Sequence, residues 1–161
     1  MWYIKYTLTL VCFLGLTTYA METNVRKQEE CSCFTYDNHY PYQIVRRIYL
    51  TQRHKPNETL AWVVSIIPKK SDQITIIESV GCMVSDQSKM RYVRAVFDFA
   101  ILRLLNDGYN TVLMRPALVN LLAGIKFEYI ALRDQGSVSD CWKEVCIRFA
   151  SGYVPTQEAK S

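Results

Sequence analysis

The stretch from Gln73 to Met114, QITIIESVGCMVSDQSKMRYVRAVFDFAILRLLNDGYNTVLM, decides the fold of this chain of 161 residues. Its first part, Gln73 to Val84, is rich in β-branched residues and predicts a strand. From Met90 to Leu105 apolar residues recur at three- and four-residue spacing, which predicts a helix with one apolar face. Asn106-Asp107-Gly108 is a typical helix stop, and Asn110 to Met114 predicts a short strand. A strand, a helix and a strand in this order predict a right-handed parallel crossover.

Two further strands precede this crossover. Gln43 to Gln52 mixes β-branched residues with arginines and a tyrosine, which is typical of a partly exposed strand. Thr59 to Ile67 is nearly all apolar and predicts a central strand. Short loops join these two strands to the strand at Gln73, so the three form an antiparallel meander. Gly81, inside the third strand, predicts a bulge or a bend.

Downstream of Met114 the pattern predicts a second helix and two strands. Pro116 is suited to the first position of a helix that runs to Ala123. Strands are predicted at Phe127 to Arg133 and at Trp142 to Phe149, with a polar loop from Asp134 to Asp140 between them. The fold class is therefore α/β, with α+β as the alternative. We expect one mixed sheet. Along the chain, the meander is followed by a helix, a strand, a second helix and two C-terminal strands.

The first twenty residues predict a secretory signal. Lys5 supplies the positive charge, Tyr6 to Leu16 the apolar segment, and Thr18 and Ala20 the small residues of a cleavage site. The apolar segment falls short of the ~20 residues that span a membrane, so we expect cleavage rather than an anchor. The protein is thus expected to be secreted or to reside in the lumen of the secretory pathway.

The remaining chain has the length of one ordinary domain. We expect a signal peptide, an irregular lead-in, a single domain and a mobile polar tail at residues 1–20, 21–41, 42–150 and 151–161, respectively. The triplet Asn57-Glu58-Thr59 is a glycosylation sequon in an expected loop, which makes Asn57 a candidate glycosylation site.

Charge and cysteine content narrow the function classes. The net charge of +4 is small and the basic residues form no continuous stripe, so a nucleic-acid partner is not expected. Five cysteines follow the leader, and in an oxidising compartment one or two disulfides are expected. These cysteines are Cys31, Cys33, Cys82, Cys141 and Cys146. The C-x-C spacing and the positions of His39 and His54 fit no metal-site pattern, so we expect no metal.

The element order, together with Val80-Gly-Cys-Met-Val84, Asn110-Thr-Val-Leu-Met114 and Gly124-Ile-Lys-Phe127, resembles the GNAT acyltransferase superfamily from Tyr42 to Phe149. The resemblance implies a cofactor, acetyl-CoA or another acyl-CoA, bound at the strand before the long helix and at the turn that follows. The implied cofactor-binding residues are Cys82, Met83, Val84, Gln87, Lys89 and Arg91. Glu78 on the same strand is the candidate catalytic base.

The chain departs from the pattern of that family at several positions. The turn from Gln87 to Tyr92 contains no glycine, although the family uses glycines there so that backbone N–H groups can approach phosphate. With the sequences aligned on Phe127, the family's asparagine, tyrosine and glycine correspond to Arg115, Leu122 and Lys126.

Two functions of different classes follow from these observations. The first is a secreted, non-catalytic binding or effector protein on a GNAT-like scaffold, with no cofactor and an unidentified protein as partner. The alternative is an acyl-CoA-dependent N-acyltransferase that acts on a small amine. The missing glycines, the missing tyrosine and the export signal favour the first function.

Overall fold

The computed structural model describes residues 19–21, 31–70 and 74–153, which form an eight-stranded sheet and two helices. The strands are β1 (Tyr19–Met21), β2 (Cys31–His39), β3 (Gln43–Gln52), β4 (Lys55–Pro68), β5 (Ile74–Cys82), β6 (Thr111–Met114), β7 (Ile130–Ser139) and β8 (Trp142–Phe149). The helices are α1 (Lys89–Asn106) and α2 (Pro116–Ala123).

The order of strands across the sheet is β1-β2-β3-β4-β5-β6-β8-β7. Strands β2 to β5 form an antiparallel meander. Strands β5 and β6 are parallel and α1 connects them, as the crossover prediction requires. Strand β8 lies between β6 and β7 and is antiparallel to both. The predicted α/β class is confirmed, and so is the predicted order of elements from β3 to β8.

Helix α1 covers the meander and builds the core with it. Helix α1 lies against β3, β4 and β5, and its apolar face is fully buried at Val96, Phe97 and Leu104. Burial of each such side chain contributes about 1.5–3 kcal/mol, so this face fixes the helix on the sheet. The helix ends at the predicted stop, because Gly108 adopts a φ of 92° that favours glycine.

A buried ion cluster ties the end of α1 to the meander. The Arg46 guanidinium on β3 is 7% exposed and donates to the carboxylate of Asp37 on β2, with Nε and Nη2 each 2.9 Å from an oxygen. Its Nη1 lies 2.6 Å from Oδ2 of Asp107, which caps α1. Burial lowers the pKa of Arg46, but its bonds to Asp37 and Asp107 outweigh that effect, so the pKa is raised.

The prediction of an irregular lead-in at residues 21–41 is wrong for much of that range. Cys31–His39 is strand β2, which pairs with β3 along its whole length. Only Ser32 and Cys33 are buried in β2, so the segment lacks the apolar alternation by which a strand is recognised. The domain therefore begins before Tyr42.

The predicted polar loop from Asp134 to Asp140 is also wrong for most of its length. Strand β7 continues to Ser139, and the turn to β8 occupies only Asp140 and Cys141. Gly136, with a φ of 112°, sits where the β7–β8 register shifts, which is typical of a bulge. Residues 133–140 are exposed, so no buried face marks this hairpin in the sequence.

Several predictions concern residues near the ends of the described segments. The predicted leader lies outside the described residues except for Tyr19 and Ala20, and cleavage after Ala20 would cut through β1. Of the predicted tail, Tyr153 packs on Phe149 at a ring-centroid distance of 5.5 Å, and residues 154–161 lie outside the described part.

Asn57 lies not in a loop but on β4, whose first residue is Lys55. The β3–β4 register shifts there, so Asn57 has no partner on β3 and is exposed. Glycosylation at Asn57 stays a prediction. The predicted disulfides are not seen among the described residues, where Cys33, Cys82, Cys141 and Cys146 are free. Burial, with a smaller contribution from the neighbouring Cys31, raises the pKa of Cys33 to about 12.

Candidate functional site

The sheet opens between β5 and β6. The parallel pairing runs from Ile74–Thr111 to Ile77–Met114 and stops there. Strand β5 continues to Cys82, while the chain leaves β6 and enters α2 at Pro116. The opening therefore lies at the carboxyl ends of two parallel strands, which is where open α/β sheets bind their ligands.

A β-bulge lies at the vertex of this opening. Val64 pairs with Ser79 and the next residue, Ser65, pairs with Ile77, so Glu78 has no partner on β4. Its side chain is exposed beside the last β5–β6 pair. Bulges redirect side chains at the edges of sites. The structure thus places the predicted catalytic carboxylate where the two strands separate.

The bulge is not at Gly81, where the sequence predicted a bulge or bend. Gly81 pairs with Trp62 on β4, and a Cβ atom at this position would lie 2.1 Å from the indole ring. A glycine is needed here because the indole fills the space of a side chain.

The N-termini of both helices lie at the same edge of the sheet. Helix α1 starts at Lys89 after a six-residue turn from Met83 to Ser88, and α2 starts at Pro116, two residues beyond β6. The positive ends of two helix dipoles thus lie near the opening and favour a negatively charged ligand. The guanidinium of Arg115, the residue before α2, lies 5.4 Å from the centroid of the Trp142 ring.

The predicted strand residues of the cofactor site have different environments. Cys82 is half-buried and pairs with Ala61 on β4. Met83 is 71% exposed, but its backbone N–H donates to Leu60 O at 2.8 Å and is not free for a ligand. Val84 packs against the core. Their side chains do not converge on one point.

The predicted turn residues Gln87, Lys89 and Arg91 are all exposed on the turn and the first helical turn. The Arg91 guanidinium lies 5.0 Å from the centroid of the Tyr92 ring and donates to its hydroxyl at 3.2 Å. All three polar side chains are thus exposed near the N-terminus of α1, and the structure shows no contact that joins them. They can meet a phosphate through their side chains.

Asp86 organises the turn that precedes α1, in which Ser88 is the N-cap residue. Its carboxylate accepts the Ser88 backbone N–H at 2.8 Å and the Ser88 hydroxyl, and its carbonyl accepts the Lys89 N–H at 3.1 Å. The bonds from Ser88, and attraction to Arg91, lower the pKa of Asp86. The carboxylate of Asp86 thus occupies the Ser88 amide, and the carbonyl of Asp86 occupies the Lys89 amide, so neither amide is free for a phosphate. Asp-x-Ser before a helix is the sequence signal for such a turn.

Next to the opening lies a cavity of about 420 Å³ between α2 and the β6, β7 and β8 strands. Its walls are largely apolar and include Met114, Val119, Leu122, Ile130, Leu132 and Val145. Leu122, which stands at the position of the family's tyrosine, is buried. Met114 belongs both to the cavity and to the last β5–β6 pair. The cavity and the vertex of the opening are therefore neighbours.

Two charged side chains, Lys126 and Asp134, also line the cavity. Asp134 is neutralised, because Lys143 Nζ lies 2.6 Å from its Oδ2 and the Gly136 N–H donates to its Oδ1 at 2.9 Å. These bonds, the one from Lys143 first, lower the pKa of Asp134. Lys126 is exposed at the rim.

The loop after α2 is anchored to α1 through a buried acid. Asp98 on α1 is 1% exposed, and its Oδ2 accepts the Glu128 N–H at 3.1 Å. Burial raises the pKa of Asp98 to about 6, although the bonds from the Glu128 and Tyr129 amides oppose the shift. The rings of Phe97 and Phe127 also meet, with centroids 5.2 Å apart. These contacts hold one wall of the cavity on α1.

Two other kinds of site were sought in the described part of the chain. No group of His, Cys, Asp or Glu side chains in residues 19–21, 31–70 and 74–153 could hold a metal ion. Within the same ranges, neither helix has the length and apolar character needed to cross a membrane.

Comparisons with known proteins found similarity in structure only. No protein-family model and no curated protein matches the sequence. A solved structure assigned to the GNAT acetyltransferases, from Desulfovibrio desulfuricans, matches with a TM-score of 0.44 and 7% identity over 65% of this chain and 69% of that chain. A ribosomal-protein-alanine N-acetyltransferase from Escherichia coli matches with a TM-score of 0.39 and 16% identity over 68% of each chain. The N-terminal domain of a ribosomal-protein-alanine acetyltransferase from Clostridium acetobutylicum matches with a TM-score of 0.39 and 8% identity over 71% of this chain and 95% of that chain.

Proposed function

We propose that this protein is an acyl-CoA-dependent N-acyltransferase. One observation carries the proposal: the β5–β6 pairing stops at Ile77–Met114, and the bulge places Glu78 at that point. An acyl thioester can then lie between the separated strands, with a carboxylate beside its carbonyl carbon. The N-termini of α1 and α2 at the same edge favour the negatively charged part of the cofactor.

The proposed reaction is direct transfer. The amine nitrogen attacks the thioester carbonyl carbon, the C–N bond forms, the C–S bond breaks, and coenzyme A leaves as a thiolate. Glu78 accepts the proton that the amine loses, which accelerates such reactions by about 10²–10⁴-fold. Leu122 offers no proton to the thiolate, so solvent supplies it. Gln87, Lys89 and Arg91 contact the phosphates through their side chains.

The first test is binding of acetyl-CoA to the purified full chain. A ligand that binds only the folded state stabilises that state by mass action and raises the melting temperature. At a ligand concentration of 100 times Kd, the free energy of unfolding rises by about 2.7 kcal/mol. We expect a saturable rise in the micromolar range. An unchanged melting temperature at millimolar acetyl-CoA would refute the proposal.

The second test is amide formation, followed by mass spectrometry of the product after incubation with acyl-CoA and a set of primary amines. Product detection is preferable to thiol titration, because the exposed Cys141 would react with thiol reagents. Glu78→Gln should bind acetyl-CoA normally and lose at least ten-fold in rate. Glu58→Gln, an exposed glutamate in an ion pair with Lys55, is the matched control and should lose nothing.

A second candidate function is a non-catalytic binding or effector protein on the same scaffold. The observation that favours it is Asp86, whose charge occupies the turn where the cofactor phosphates would bind. This function predicts no response to acetyl-CoA in either test.

Export is a separate proposal, tested by expression in secretory cells and N-terminal sequencing of the product. Met21 as the first residue would support it, and Met1 would refute it.

A further inference from the structure

The cavity beside the opening has the size of a ligand site. Its volume of about 420 Å³ falls within the ~300–1,000 Å³ of small-molecule pockets. An acetyl group is far smaller than this space. An acetyl group would therefore leave most of the cavity unfilled.

The chemistry of the walls selects an apolar occupant. Strands β6, β7 and β8 contribute Met114, Leu132 and Val145, and α2 contributes Val119 and Leu122. Asp134 is already paired with Lys143. Apolar cavities hold water poorly and favour apolar ligands. A polar substrate would leave its groups without partners along these walls, which costs free energy.

The position of the cavity fits a chain that begins at the thioester. Met114 closes the β5–β6 pairing beside Glu78 and also lines the cavity. A group whose carbonyl lies at the vertex of the opening can extend past Met114 between α2 and the sheet. The turn at α1, where the phosphate-bearing part of an acyl donor is proposed to lie, is exposed and charged and does not suit a hydrocarbon chain.

We infer that the cavity binds the hydrocarbon chain of a medium-chain acyl thioester, with the thioester carbonyl at Glu78 and the chain beneath α2. The inference rests on the proposed function and names its acyl donor. The chemistry of transfer is unchanged: the carbonyl carbon passes from sulfur to the amine nitrogen, and the chain stays in the cavity. The donor class is then octanoyl-like rather than acetyl.

The test compares acetyl-, butyryl- and octanoyl-CoA as donors to one amine. Each buried methylene contributes about 0.8 kcal/mol, so kcat/KM should rise with chain length, by at least ten-fold from acetyl to octanoyl. Val119→Phe narrows the cavity and should make kcat/KM for octanoyl-CoA about equal to kcat/KM for acetyl-CoA. Leu121→Phe is the matched control, because Leu121 lies on the same helix, is 43% exposed and does not line the cavity. It should keep the wild-type ratio of these two values. Ala123→Leu at the cavity wall replaces Val119→Phe if that variant unfolds.

A second measurement separates this inference from the proposed function. Binding of free octanoate is measured by calorimetry with the wild-type chain, Val119→Phe and Leu121→Phe. Octanoate binding that Val119→Phe alone abolishes, without turnover of any thioester, supports the cavity and refutes the acyltransferase. Equal turnover of acetyl- and octanoyl-CoA without octanoate binding refutes the cavity and supports the acyltransferase. Absence of both refutes both.

Discussion

The two halves of the sheet are built differently. The meander half, β2 to β5 with α1, has continuous antiparallel ladders and the ion cluster around Arg46. The crossover half, β6, α2, β7 and β8, joins the meander half through four parallel pairs, Ile74–Thr111 to Ile77–Met114. It also packs against α1, which accepts the Glu128 N–H through Asp98. The opening and the cavity both lie at or beyond this junction. The ion cluster thus lies in the meander half, the opening lies at the junction, and the cavity lies in the crossover half.

The largest effect should come from breaking the ion cluster of the meander half. Arg46→Met leaves Asp37 and Asp107 without their cation, and loss of one partner from a buried pair costs about 3–5 kcal/mol. Because both acids are partly exposed, we expect about 3 kcal/mol. Urea denaturation measures this loss of unfolding free energy. The control is Arg148→Met: Arg148 is exposed on β8, so its replacement should cost almost nothing. Equal costs for the two variants would remove the distinction between the halves.

A second change tests close packing inside the meander half. Gly81→Ala forces a Cβ into the Trp62 indole and should cost about 2 kcal/mol of unfolding free energy. In a Trp62→Ala background the same change should cost far less, because the obstructing ring is gone. A double-mutant cycle by thermal denaturation measures this coupling. Equal costs in both backgrounds would show that the ring is not the obstacle.

The junction between the halves predicts a dependence on pH. Asp98 has an ordinary pKa of 3.8 when unfolded and about 6 in the fold, so between these values the folded state binds a proton that the unfolded state releases. Stability therefore falls as pH rises from about 4 to about 6, by roughly 2 kcal/mol. Asp98→Asn should flatten this profile and raise the melting temperature at pH 8, but not at pH 4. Asp140→Asn, at an exposed turn, should leave the profile intact.

The smallest effect concerns the turn at the opening. Asp86→Asn keeps an oxygen for the Ser88 N–H but removes the charge that opposes a phosphate. We expect the affinity for acetyl-CoA to rise several-fold in a calorimetric titration, with little change in melting temperature. Weaker binding would mean that the carboxylate helps the ligand, and the proposed phosphate contacts would then be wrong.

The sequence predicted most elements of the fold because their signals are local. The period of α1, Pro116 at the start of α2 and Gly108 after α1 each act within one or two turns, and all three predictions are confirmed. Strand β2 and the far end of β7 were missed because they lie toward the sheet edges with few buried residues. Their pairing comes from neighbours distant in sequence, which periodicity does not report.

The candidate site was predictable only in part. Glu78 was found as the one carboxylate on its strand, but the bulge that exposes it depends on the register with β4. The cavity required the placement of β8 between β6 and β7, which no local pattern predicts.

The position of β8 also determines when the candidate site can form. Because the last strand, Trp142–Phe149, lies between β6 and β7, the crossover half is continuous only after the ribosome has added this segment. The meander half and α1 are complete nearly forty residues earlier and can fold first during synthesis. A chain that stops before residue 142 would expose the edge of β6 and present a site for aggregation instead of a site for a ligand. The cavity therefore forms only after β8 has taken its place between β6 and β7.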